Sequence, residues 1–371
     1  MTYQLCTRCV MDTTDPEIQF DENGVCNHCH FYDRALARYV RTGETGCREL
    51  EKLVAQIKRE GANKQYDCVI GVSGGVDSTY VAYKVKQLGL RPLAVHLDNG
   101  WDSELAVKNI EQTLKILNID LYTYVINWEE FKDLQLAFLR ASTPDAEIPS
   151  DHAIVASLYE TAKNKDIKVI ISGCNKRTEL HLPPKWSQGH LDWKYIKTIH
   201  NKFGSCKIKT YPHMSFFKYH YYKHSIKWID ILDYLDYSKN QAKALLKKEL
   251  CWKDYGAKHH ESIYTRFYQG YFLPKKFHYD KRKSHLSSLI CSKEITRTEA
   301  LEELKNAPYS NELQKIDLEY FKKKLTLSED EYERIMNCGI KSYDDYDNYS
   351  SLFANPVYKT LLKLYRTIFR S

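Results

Sequence analysis

The chain has 371 residues, of which 43% are hydrophobic and 28% charged, and a net charge of +7. These are values of an ordinary globular protein long enough for two or three domains, and they exclude a disordered chain. No run reaches the roughly 20 apolar residues of a membrane span, and the start Met1-Thr2-Tyr3-Gln4-Leu5-Cys6 lacks the basic and apolar stretches of a secretory signal, so a cytoplasmic protein with no membrane partner is expected.

Residues 1 to about 45 are turn-rich, with Asp15-Pro16 and Asn23-Gly24 as turn signals and no periodic run that could build a core. Cys6-Thr7-Arg8-Cys9 and Cys26-Asn27-His28-Cys29 form C-x2-C, a sixteen-residue spacer and C-x2-C, the spacing at which four thiolates close around Zn2+. Four cysteines leave no open coordination position. The expectation is a structural zinc module over residues 1–48, stapling a segment too short to fold on apolar burial; thiolates would also suit an iron–sulfur cluster. His28 and His30 read as neighbours of the metal rather than ligands.

From about 50 to 180 the pattern alternates. Helices are expected at 50–59, 79–88, 104–117 and 151–163, and strands at 67–72, 92–98, 121–126 and 167–172. This alternation predicts an α/β fold with a doubly wound parallel sheet buried on both faces, assigned to a domain at 49–200. Residues 201–371 read as a basic, mainly helical substrate-binding region. Short amphipathic segments fall at 226–235 and 239–250. Capping boxes occur at Thr296-Arg297-Thr298-Glu299 and Ser328-Glu329-Asp330-Glu331, and an acidic loop is expected at 343–349. Charge is concentrated as well: residues 181–300 hold 23 Lys and Arg against 10 Asp and Glu, so this stretch meets an anion or is solvated.

The strand at 67–72 runs into Ser73-Gly74-Gly75-Val76-Asp77-Ser78 and then directly into a helix. In that context backbone N–H groups and the helix dipole bind phosphate, and glycines let the backbone approach the oxygens. Ser73 and Ser78 can donate hydroxyl hydrogen bonds, and Asp77 can hold Mg2+ against the phosphates. No Gly-Lys-Ser/Thr follows, so this is not a Walker A loop. It resembles the PP-loop (SGGxDS) of the ATP pyrophosphatase superfamily, which includes GMP, asparagine and NAD synthetases and tRNA-modifying enzymes. The resemblance implies a fold of the adenine nucleotide alpha hydrolase-like type, cleavage of ATP between the α and β phosphates, and adenylation of a carbonyl oxygen. It also assigns nucleotide-binding roles to Ser73, Gly74, Gly75, Val76, Asp77 and Ser78, to Asp98 at the end of the second strand, and to Gly173 and Asn175 after the fourth.

Further segments resemble the N-acetyl sugar amidotransferases of bacterial surface-polysaccharide pathways, O-antigen, pseudaminic and legionaminic acid pathways among them. They are Cys6 to Asp12, Asp98-Asn99-Gly100-Trp101, Pro144-Asp145 to Pro149-Ser150-Asp151-His152, 256–271 and 280–287. That family turns an N-acetyl group on a nucleotide-linked sugar into an acetamidino group, using ammonia. No N-terminal Cys and no Gly-x-Cys-x-Gly elbow is present, so a separate glutaminase is the implied partner beside the nucleotide-sugar substrate. Asp77, Lys258, Arg266 and Glu179 are the catalytic candidates, and His152, His259, Arg266, Lys281 and Arg282 the substrate-binding ones. Two other readings stay open. A tRNA-thiolating or lysidine-type enzyme would use Cys174, although the basic residues form no appended RNA-binding tail and nucleic acid is not the expected partner. A non-catalytic zinc-ribbon adaptor would leave the intact loop without a purpose.

Overall fold

The structure, a computed structural model, describes residues 2–256 and 261–350. Two helices, α1 (Asn27–Tyr39) and α2 (Gly43–Glu60), precede the sheet. Then come β1 (Cys68–Gly71), α3 (Val76–Gln87), β2 (Pro92–Asp98), α4 (Glu104–Leu117), β3 (Asp120–Val125), α5 (Trp128–Ala141), α6 (Ile148–Asn164), β4 (Val169–Ser172) and the short α7 (Lys176–Glu179). After α8 (Trp193–Phe203) and α9 (Phe216–Ser225), β5 (Lys227–Asp230) completes a parallel sheet in the order β3-β2-β1-β4-β5. Strand order reverses at β1. In a doubly wound sheet the crevice beyond the strands' C-terminal ends at that point is where ligands bind.

Period-two alternation explains the two layers. Cys68 and Ile70 face a cluster built from α2, α3, α4 and α10 (Lys239–Leu250), whereas Val69 faces Ala156, Tyr159 and Ala162 of α6. Two sequence expectations are revised here. Strand β3 is an edge strand, and Leu121, Tyr122 and Val125 are exposed rather than buried. Residues 226–235 form β5 and a short 3-10 turn, so the sheet takes its fifth strand from beyond residue 200. The helix α5 carried no expectation at all.

The remaining helices are α11 (Ile263–Phe267), α12 (Leu273–Phe277), α13 (Lys281–Cys291), α14 (Arg297–Lys305), α15 (Asn311–Leu325) and α16 (Glu329–Asn337), with a π-helical turn at Tyr268–Phe272 between α11 and α12. Phe267, Phe272, Phe321, Leu325 and Ile335 pack against Phe131, Leu134 and Phe138 of α5, which welds the helical region to the sheet domain. Thr296 and Glu299 make the reciprocal capping box. Residues 343–349 are more than a loop: Tyr346 is buried, and Tyr343 donates to Asp192 at 2.6 Å. Among the described residues no helix is long and apolar enough to cross a membrane.

Candidate active site and metal centre

The loop at 72–75 joins β1 to the N-terminus of α3, whose first N–H groups have no acceptor within the helix. Gly74 has φ +76°, and a Cβ there would lie 2.5 Å from the Ala106 carbonyl oxygen, so both conformation and space demand glycine. The Ser78 hydroxyl accepts from Ser73 N–H at 3.2 Å, and Ser73 Oγ accepts from Gly75 N–H at 3.3 Å. Two tyrosines missed by sequence reasoning close the loop from the far end of the chain. Tyr255 OH accepts from Val76 N–H at 3.2 Å, and Tyr237 OH donates to Asp77. Burial pushes both phenols up, so both stay neutral. Trp252 Nε1–H donates to the Gly74 carbonyl at 2.9 Å, holding the 252–256 segment over the loop.

The neighbouring strand ends converge as the topology requires. Gly173 follows β4 and packs so closely on α3 that a Cβ would lie 3.2 Å from Ser78 N. Asn175 caps α7, accepting from Thr178 N–H at 3.0 Å, and its buried Nδ2 has no partner among the described residues. Glu179 Oε2 accepts from Asn175 N–H at 3.2 Å. Asp98 Oδ1 accepts from Gly100 N–H at 2.9 Å, which shapes the turn after β2. Beside it, His96 bridges the Val72 carbonyl at 2.9 Å and Asp102 at 3.2 Å. Burial opposes a charge on His96, but Asp102 outweighs it and holds the ring above its ordinary pKa. Cys174 opens to solvent at the rim, yet the protein atoms crowding its thiol, together with the nearby Glu179, Asp230 and Asp77, push its pKa up to about 12. Such a thiol is a poor nucleophile near neutrality.

Cys6, Cys9, Cys26 and Cys29 are buried, with sulfurs 4.0, 3.6 and 3.7 Å apart for the pairs Cys6–Cys29, Cys9–Cys26 and Cys26–Cys29. A tetrahedron with Zn–S bonds of about 2.3 Å has edges of about 3.8 Å. Backbone N–H groups of Cys9, Met11 and Cys26 also point at these sulfurs, as suits thiolates. The donor set therefore fits zinc. His28 and His30 bind Asp15 at 2.6 Å and Asp21 at 2.8 Å. The module is bolted to the C-terminal helices: Arg297 donates to the Cys6 and Cys9 carbonyls at 2.9 and 3.0 Å, Lys283 pairs with buried Asp12, and Val10 N–H donates to Ser287 Oγ at 3.2 Å. From α1, Tyr32 OH donates to the Arg177 carbonyl at 2.9 Å, so the module also backs the α7 wall of the crevice.

Other residues expected at the site are committed elsewhere. Arg266 makes a bidentate pair with buried Asp317 at 2.8 and 2.7 Å, tying α11 to α15. Arg282 is occupied by Asp280 and by the Asn306 carbonyl at 2.9 Å. His152 is wholly buried: Nδ1 donates to the His190 carbonyl at 2.7 Å, and Nε2 accepts from Met214 N–H at 2.9 Å. Burial lowers its pKa to about 4, and neither nitrogen is left for a ligand. Lys258 and His259 lie outside the described residues.

Lys281 is paired in company that sequence reasoning did not assemble. Its Nζ lies 3.1 Å from Glu147 and 3.8 Å from Asp145, and burial is outweighed by these carboxylates, which raise its pKa. Gln269, on the π-helical turn, donates to Glu147 at 2.7 Å. Asp151 and His190 complete the cluster, 3.4 Å apart. The segment from Pro144 to Asp151 carried part of the family resemblance; His190 carried no signal.

The fold and site define the class: an α/β protein with a PP-loop at the switch point of a parallel sheet, a four-cysteine module and a helical C-terminal region. Residues 261–364 match the family model described as LPS biosynthesis protein WbpG-like, C-terminal domain, in line with the polysaccharide-pathway family that the motifs resemble. None of the curated proteins matches the chain. Among solved structures, an NMN synthetase from Francisella tularensis is similar over 81% of this chain and 99% of its own, at 16% identity and a TM-score of 0.36. An NH3-dependent NAD synthetase from Campylobacter jejuni is similar over 42% and 72%, at 18% identity and a TM-score of 0.29. A predicted subunit of tRNA methyltransferase from Methanocaldococcus jannaschii is similar over 49% and 74%, at 15% identity and 0.29.

Proposed function

We propose that this chain is an ATP-dependent amidotransferase that converts the N-acetyl group of a nucleotide-activated sugar to an acetamidino group in surface-polysaccharide biosynthesis, with ammonia from a separate glutaminase chain. The observation that carries this reading is the Ser73–Ser78 loop at the N-terminus of α3, closed by chain that leads straight into the segment matching the WbpG-like model.

The chemistry explains why such a loop is needed. An amide carbon is a weak electrophile with a poor leaving group; transfer of AMP to its oxygen remedies both. The N–H groups at the start of α3, with the Ser73 and Ser78 hydroxyls, would hold the departing pyrophosphate, and Asp77, released from Tyr237, would hold Mg2+ against it. Magnesium would neutralise charge developing on the phosphates. The Asn175 amide, whose buried Nδ2 has no partner among the described residues, would offer a donor beside the nucleotide. Zinc would brace the α7 wall and take no part in the reaction, because its four thiolates leave no open position. The crowded, acid-flanked thiol of Cys174 weighs against the thiolation reading.

The test mixes the protein with ATP, Mg2+, ammonium and a panel of nucleotide-linked acetamido sugars. The expected result is AMP, pyrophosphate and a product in which NH replaces one oxygen. AMP release with tRNA and not with any sugar would overturn the reading.

A further inference from the structure

His190 is anchored on one side and open on the other. The Ser187 hydroxyl donates its single hydrogen to Asp145, so Ser187 Oγ, 2.9 Å from His190 Nε2, is left as an acceptor and Nε2 must carry the ring hydrogen. Asp145 stands 3.4 Å from the same nitrogen, and the His190 carbonyl is gripped by His152. The lone pair of the neutral ring is therefore on Nδ1, which has no partner among the described residues, and 34% of the side chain is exposed. A base oriented through one nitrogen by a hydroxyl and a carboxylate, with the other nitrogen free, is the arrangement of a proton acceptor.

Asp151 stands beside it in the first turn of α6. Its side chain is 48% exposed, lies 3.4 Å from the same His190 Nε2, one ring carbon away from the open Nδ1, and accepts no hydrogen bond among the described residues. The nearest cation, Lys281, is spent on Glu147 and Asp145. Three carboxylates here would repel a phosphate; a small cation rich in N–H donors suits them.

The cluster lies on the crevice side of the sheet, because α6 leads into parallel β4 and so begins where the strands end. Glu261 lies against Gly75 and Gln269 donates to Glu147, so one stretch of chain touches both the loop and the cluster.

Building on the amidotransfer reading above, we infer that Asp151 and His190 form the site that receives the nitrogen nucleophile as ammonium, with His190 Nδ1 taking its proton. Ammonium gives one proton to His190, and the freed lone pair forms the bond to the adenylated carbon. The adduct loses a second proton by the same route, the C–O bond breaks with its electron pair leaving on AMP, and the amidinium keeps two N–H hydrogens. Each proton passes from His190 to solvent. Burial disfavours the charged ring, but Asp145 and Asp151 outweigh burial and the repulsion from Lys281, so His190 holds a proton more readily than an ordinary histidine.

The test compares two rates in the His190→Gln variant: ATP–pyrophosphate exchange with an acetamido nucleotide-sugar, and amidine formation with ammonium chloride as the sole nitrogen source. We expect kcat/KM for ammonium to fall about 100-fold near neutrality beyond any change in exchange, and the deficit to shrink at alkaline pH as free ammonia accumulates. Ser187→Ala, which removes the acceptor that fixes Nε2 and the donor to Asp145, should shift the midpoint of the pH profile. An equal loss in both rates, or none in amination, overturns the assignment. Failure of the unaltered protein to exchange with any acetamido sugar would instead overturn the amidotransfer reading, so the two failures are separable.

Discussion

The metal module and the crevice are assembled in opposite ways. Cys6 and Cys29 are 23 residues apart, and their partners lie between them. The crevice joins Tyr255 to Val76 across 179 residues and Tyr237 to Asp77 across 160, and the cluster at the start of α6 joins Lys281 to Glu147 across 134. A site closed by short loops writes its geometry into its spacing. A site closed by folding shows only its separate fragments, and whether an arginine or histidine there is free depends on partners that no spacing reveals.

The largest effect that would break this contrast concerns the module. Stripping the metal, or Cys26→Ala, should remove stability on the order of 10 kcal/mol from a segment with almost no core of its own, so zinc content and melting temperature fall together. Metal-free protein that melts unchanged would show the module to be self-supporting. Next comes Asp77→Ala, which removes a carboxylate from the phosphate loop and strands only the Tyr237 hydroxyl: AMP formation should drop about 10³-fold while the melting temperature falls slightly. Near-normal AMP release would dissociate the loop from the chemistry.

Two further predictions concern residues that sequence assigned to ligand and the structure assigns to packing. Arg266→Ala should cost about 3 kcal/mol in urea denaturation, because it leaves Asp317 buried and unpaired. A raised KM without lost stability would return Arg266 to the substrate. His152 sets a smaller, pH-dependent effect. Its native pKa of about 4 lies below the unfolded value of about 6.5, so the unfolded chain binds the proton first as pH falls. The associated stability, roughly 3 kcal/mol, is intact above about pH 6.5 and lost progressively towards pH 4. A His152 ring that titrates near neutrality by NMR would contradict its burial.

Much of the frame was legible. The four strand runs at 67–172 alternate with helices, and each became a parallel strand, because apolar β-rich runs of that length have few other uses. The phosphate loop was legible because glycine is required at a positive φ such as that of Gly74. β5 was not, since a short apolar run interrupted by Asp230 and Asp233 fits helix and strand alike. Nor was the pairing of Arg266 with Asp317, or of Ser187 with Asp145, for the hydrogen-bond partner of a polar side chain leaves no trace in its neighbours.

Arg297 grips the carbonyls of Cys6 and Cys9 from 291 and 288 residues further along the chain. At ribosomal speeds of roughly 5–20 residues per second, the cysteines emerge about 15–60 s before the residue that secures them exists. A segment made early is among the last to be placed. During that interval its thiols are open to scavenging by metal or oxidant, and early capture of zinc would shield them until the rest of the chain arrives.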